Sequence, residues 1–280
     1  MSFEVINSHS LIEALDALAS DPMLVPLAGA TDLMVYLEAG SLPDCTFLNL
    51  QRLDELKPLK TGRTSLVLGA LTTYRDVRVS DARRALPMLA LAAREVGALA
   101  IQNRGTWVGN IANASPAADG VPAMMAYDAD IELASKTGRR IVPLSRFYRG
   151  YKQMDRRADE LITAVHIPVP QPEWREYFRK VGTRRFQAIS KTLLAGRILV
   201  GEDRMVKDIR MVFGSVAPYT LRAVQTENLI RGRHLTPELI EEACRAIQDE
   251  INPIDDIRST EAYRRRVTSN LVREFLARFL

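Results

Sequence analysis

The stretch Leu27-Ala28-Gly29-Ala30-Thr31-Asp32-Leu33 constrains this chain more than any other. It follows a short apolar run, Met23 to Leu27, and precedes a helix-like one, Leu33 to Ala39. Small residues at a strand-to-helix turn let a ligand approach the backbone, and the free N–H groups at a helix start favour phosphate. A second small-residue segment, Arg104 to Asn110, continues through Asn113-Ala114-Ser115-Pro116-Ala117-Ala118-Asp119. Two anion-compatible loops in one chain point to a ligand with a diphosphate and a long body, and a dinucleotide fits.

The 280 residues suffice for a sizeable core and two domains. At 47% hydrophobic and 26% charged, the composition is that of an ordinary globular protein. The net charge of +4 and the scattered Arg pairs argue against nucleic acid, which needs a concentrated basic face. Met1 to Ser10 lacks the basic and apolar regions of a signal peptide, and the apolar run from Ala85 is broken by Arg94 and Glu95. The expectation is a cytoplasmic protein that does not engage a membrane. Cys45 and Cys244 stand alone, too few for an iron–sulfur cluster, and His9, His166 and His234 lack zinc-site spacing.

Periodicity predicts an α+β fold. Ser8 or Ser10 caps a helix over 11–19, followed by strand 23–27, helix 33–39 and strand 46–50, a β-α-β unit with parallel strands. Strand 65–71 and one long buried helix, 86–100, come next. Segments 129–135 and 140–144 flank a hairpin turn at Lys136-Thr137-Gly138-Arg139, and 161–167 and 177–181 are further strands. Beyond Pro168, Pro170 and Pro172 lie strand 209–216, helix 222–231, a helix opened by Thr236-Pro237, and a last helix from Ser259 or Thr260. The expected division is a two-part domain over 1–170, with lobes 1–58 and 59–170, and a sheet-plus-helices domain over 171–280.

Ala28-Gly29-Ala30-Thr31-Asp32-Leu33 resembles the A-G-G-T-D-L loop of the flavin-binding subunits of molybdenum hydroxylases, the xanthine dehydrogenase and carbon monoxide dehydrogenase family. Thr106-Trp107-Val108-Gly109-Asn110, with Ala114-Ser115-Pro116 and Asp119, resembles that family's second flavin loop. The resemblance extends through Glu160-Leu161-Ile162, Phe178-Arg179-Lys180-Val181-Gly182 and Arg258-Ser259-Thr260 with Tyr263-Arg264. It implies that the backbone of Leu27, Ala28, Gly29, Ala30, Thr31, Asp32 and Leu33 wraps the FAD diphosphate, with side-chain contacts from Thr31 and Asp32. It further implies that Thr106, Gly109 and Asn110 hold the other side, Asp119 the ribose or adenine end, Ile162 a packing surface, and Lys180 the flavin region. No catalytic side chain and no metal ligand are expected.

The same residues have plainer uses. Thr31 and Asp32 can cap a helix, Asn110 and Asn113 can shape turns, Ile162 can be core and Lys180 a surface charge. Ala30 and Val108 stand where the family loops carry glycine; a left-handed backbone at either costs roughly 1–2 kcal/mol or more. The resemblance implies an electron-transfer subunit. It takes electrons from [2Fe–2S] clusters on a small subunit and passes them to NAD+ or another acceptor. A large subunit carries molybdopterin, and the assembly is a dimer of heterotrimers. The alternatives are a self-contained flavin oxidase of the vanillyl-alcohol type, for which 171–280 leaves little room, and a scaffold subunit that has lost FAD.

Overall fold

The chain begins with a three-stranded parallel sheet, and the computed structural model describes residues 3–185 and 187–280. Met1 and Ser2, at the head of the N-terminal segment discussed above, lie outside the described residues. Strands β1 (Phe3–Asn7), β2 (Val25–Leu27) and β3 (Cys45–Asn49) pair in the order β1-β3-β2, both pairs parallel. Helix α1 (Leu11–Ser20) is capped by Ser10, whose Oγ accepts from the Glu13 N–H, and it buries Leu11, Ala14, Leu15 and Leu18. Helix α2 (Thr31–Glu38) begins two residues earlier than expected and has no fully buried residue.

The second lobe is a five-stranded antiparallel sheet of β4 (Leu59–Thr61), β5 (Ser65–Gly69), β6 (Asp130–Ser135), β7 (Gly138–Pro143) and β10 (Leu161–Pro168), in the order β4-β5-β10-β6-β7. Between β7 and β10 runs a small ribbon of β8 (Tyr148–Gly150) and β9 (Gln153–Met154). The predicted 129–144 hairpin is present, with Ser135 opposite Gly138. Six short helices connect β5 to β6: α3 (Tyr74–Val79), α4 (Ala82–Ala85), α5 (Pro87–Glu95), α6 (Leu99–Arg104), α7 (Trp107–Asn113) and α8 (Gly120–Ala126). The single helix expected over 86–100 is therefore two helices. Gly97, at φ +48, breaks it, and the Gln102 amide donates to the carbonyls of Arg94 and Val96, satisfying acceptors that the break releases.

The last sheet pairs β11 (Arg175–Val181), β12 (Thr192–Val200), β13 (Val206–Gly214) and β14 (Leu221–Arg222), antiparallel and in sequence order. Helices α9 (Val224–Ile230), α10 (Pro237–Glu250) and α11 (Glu261–Ala277) complete the chain. Strand β12 was not anticipated, because it is buried on both faces. Leu193 and Ala195 join the core of the second lobe, while Leu194 and Ile198 join the core beneath α10 and α11. Such a strand shows no polar alternation. The α+β expectation holds. Among the described residues, no helix is long and apolar enough to cross a membrane.

Candidate functional site

The turn after β2 and the segment joining α6 to α7 face each other across a cavity of about 630 Å³, within the range of small-molecule sites. The two backbones all but touch. A methyl group on Gly29 would sit 2.1 Å from the Arg104 carbonyl oxygen, and one on Gly105 would meet the Tyr74 ring at 3.0 Å. Ala30 ends the turn at φ 61, and no side chain caps α2. The first N–H groups of that helix lack intrahelical acceptors and stand beside the cavity as donors. Gln51 steadies the turn by donating to the Ala28 carbonyl at 2.7 Å.

On the facing wall, Thr106 caps α7 by accepting from the Gly109 N–H at 2.9 Å, and Asn110 Oδ1 accepts from the Gly120 N–H. Val108 lies inside α7, is nearly buried and is not among the residues with positive φ. The strain foreseen at the glycine replacements thus falls on Ala30 alone. Ile162 is buried where β10 bulges against β6 and reaches both core and cavity.

Ala28, Gly29, Ala30, Thr31, Asp32, Leu33, Thr106, Gly109, Asn110, Asp119 and Ile162 all line the cavity; Leu27 and Lys180 do not. Leu27 spends its backbone in the sheet, opposite Asn49 and with its carbonyl accepting from Leu50. The Lys180 ammonium donates instead to Asp119 Oδ2 at 2.6 Å and to the Glu95 carbonyl at 2.8 Å.

Charge around the cavity is mixed. Burial raises the Asp32 carboxyl above its usual range, with the Lys152 charge opposing. Burial likewise pushes Asp119 up to about 6 despite Lys180. Glu160 is held below the usual range chiefly by its hydrogen bonds from Arg140, at 2.7 and 2.8 Å. Arg156 also lines the cavity and donates to the Glu160 carbonyl. Across the lobes, Lys152 donates to the Tyr36 hydroxyl at 2.9 Å, and that hydroxyl donates to Asn113 Oδ1 at 3.1 Å.

Tyr36, Tyr74, Lys152 and Arg156 escaped the sequence reading. Tyr36 stands one helical turn beyond Asp32, a signal that was available. Nothing local marks the other three.

A FAD-sized ligand suits this construction. Backbone donors flank the cavity, the Gly29–Arg104 approach leaves no room for a side chain, and among the described residues no group stands in hydrogen-bonding geometry to one buried carboxylate oxygen, Asp119 Oδ1. Residues 1–170 match the family model of the FAD binding domain in molybdopterin dehydrogenase, and residues 176–279 that of the CO dehydrogenase flavoprotein C-terminal domain. The glyceraldehyde dehydrogenase medium chain of Sulfolobus acidocaldarius is 31% identical over 270 residues, covering 96% of this chain and 95% of that one. The xanthine dehydrogenase FAD-binding subunit of Escherichia coli O157:H7 is 25% identical over 286 residues, covering 98% and 96%. Carbon monoxide dehydrogenase from Hydrogenophaga pseudoflava matches in structure with a TM-score of 0.92 at 25% identity, covering 98% and 96%. The chain belongs to the FAD-binding medium subunits of the molybdenum hydroxylases, oxidoreductase components whose cofactor on this chain is FAD.

Proposed function

We propose that this subunit accepts electrons from [2Fe–2S] clusters on a small partner and delivers them to NAD+ or another acceptor, while a large partner oxidises the substrate at a molybdopterin centre. The cavity between the two lobes carries the reading, because its backbone donors and small residues suit an extended dinucleotide. A bound flavin supplies exchange between one-electron and two-electron carriers. The chain's own residues hold and orient it. The N–H groups of Ala28 to Leu33 would face the diphosphate, with Thr31 and Asp32 adding side-chain contacts and Leu27 anchoring the turn to its sheet. Thr106, Gly109 and Asn110 would hold the other side, Ile162 would pack against the cofactor, and Asp119 would accept from its ribose or adenine end.

Two cysteines cannot supply the four ligands that a cluster takes, so the clusters of this electron path sit on a partner. A dimer of heterotrimers is the assembly proposed. The test is to express the chain alone and with its neighbouring subunits, then assay substrates and weigh the complexes. Alone, it should release FAD on acid precipitation and at most pass electrons from a pyridine nucleotide to a dye. Substrate oxidation should appear only in the assembled complex. Turnover of substrate by the lone chain would overturn the proposal.

A further inference from the structure

The Tyr36 side chain bridges two walls of the cofactor cavity. Tyr36 lines that cavity from α2, Asn113 lines it from the end of α7, and the Tyr36 hydroxyl donates to Asn113 Oδ1 at 3.1 Å. Lys152 completes the bridge, donating to the Tyr36 hydroxyl at 2.9 Å and to Asn113 Oδ1 at 3.3 Å. It stands at the turn of the β8–β9 ribbon, a sheet of two strands only, and its φ of 54 is one that a residue with a Cβ rarely adopts. The base of the ribbon is fixed, because the buried Tyr148 hydroxyl donates to the Ile111 carbonyl and Asp155 pairs with Arg140 and Arg149. A braced stem thus carries the Lys152 ammonium out to the first lobe.

The first lobe is held differently on its two sides. On the α1 side, Leu11, Leu15 and Leu18 share one core with Leu68, Ile131 and Leu133 of the second lobe, and Asp16 pairs with Lys136 at 2.9 Å. On the α2 side no residue of the helix is fully buried, and Met34 and Val35 are exposed. Among the described residues, the hydrogen bonds that join α2 to the second lobe all pass through the Tyr36 hydroxyl. Local opening draws on segments with few buried apolar contacts, so α2 gives way before α1 does. We propose that Tyr36, Lys152 and Asn113 form a clasp that gates the cofactor. Closed, it holds α2 against the second lobe with or without flavin. Open, it lets the α2 edge swing about the core beneath α1, widening the path for an extended ligand. The proposal rests on the reading of this cavity as the FAD site. A clasp closed in both the empty and the loaded chain slows entry and release alike and leaves the affinity unchanged. A direct bond from Tyr36 to the cofactor would slow release alone.

The experiment measures both rates on the full-length chain by stopped-flow flavin fluorescence: association on mixing the flavin-stripped chain with FAD, and release on diluting the loaded chain. Tyr36→Phe and Lys152→Met should each raise both rates about three- to tenfold while Kd stays within about twofold of the wild type. The double variant should gain less than the product of the single effects, since both changes break one bridge. Amide hydrogen exchange in α2 of the flavin-free variants should quicken, while exchange in α1 keeps its wild-type rate. Faster release with unchanged association in Tyr36→Phe would overturn the clasp and make Tyr36 a plain cofactor contact. Unchanged rates in both variants would also overturn it. A wild-type chain that binds FAD without protecting the amides of α2 and of residues 104–110 from exchange would instead sink the reading of the cavity on which the proposal rests.

Discussion

Ala30 and Gly29 are adjacent and both small, for different reasons. Gly29 is small for space, since any side chain would collide with the Arg104 carbonyl. Ala30 occupies a left-handed conformation at φ 61 and carries a Cβ that this conformation disfavours. Ala30→Gly should therefore stabilise the chain by about 0.5–1 kcal/mol, the relief of the left-handed strain less the extra entropy of an unfolded glycine. Thermal unfolding of the flavin-free chain measures it, and a fall in stability would refute the strain. Gly29→Ala should do the opposite, parting the two walls and reducing FAD retention. At this scale the sequence named both departures from glycine, Ala30 and Val108, but not which was strained. A dihedral angle at one residue depends on where the chain must go next, and Val108 simply continues a helix.

At the scale of elements, α7 and α10 start alike. Thr106 accepts from the Gly109 N–H, and Thr236 accepts from the Leu239 N–H. Replacing either threonine by alanine should cost about 1 kcal/mol of stability. Only Thr106 lines the cofactor cavity, so only Thr106→Ala should also weaken FAD binding, read by fluorescence titration. Equal FAD affinity in the two variants would reduce Thr106 to a helix cap. Caps such as Ser10, Thr236 and Thr260 were legible because a cap is a contact over three residues. The break at Gly97 and the doubly buried β12 were not. One needed the Gln102 side chain to return to Arg94 and Val96, and the other needed two cores already in place.

At the scale of the whole molecule, Asp128 ties the last sheet to the second lobe. It lies just beyond α8 and accepts from Arg197 on β12 at 2.8 Å, Arg210 on β13 at 2.9 Å and Arg222 on β14 at 2.9 Å. Arg210 and Arg222 keep Asp208 and Glu227 as further partners, and Arg197 is stacked over Trp174. Arg197 is 5% exposed, and Asp128 is its charged partner. Asp128→Ala should destabilise the chain by about 3 kcal/mol, because a buried guanidinium is left without its counter-charge. Deleting the exposed Lys57–Asp54 pair should change stability by no more than about 1 kcal/mol. Thermal unfolding compares the two, and equal effects would remove Asp128 from the joint between lobe and sheet.

The sequence by itself determined the elements whose cause is local: the capped helices, the β-α-β unit, the 129–144 hairpin, and the two small-residue segments that face the cavity. These follow from propensity, periodicity and turn chemistry over a few residues. Only the tertiary structure decided that Lys180 turns away from the cofactor cavity to meet Asp119, 61 residues earlier. It also brought Lys152 to Tyr36, 116 residues away, and set Arg156 beside Glu160 at the cavity wall. The first two contacts join residues far apart in the chain, and the third matters only where the folded chain puts it. Charges reach such places through the packing of two cores and the cost of leaving a buried charge unpaired, neither of which is written in any short stretch of chain.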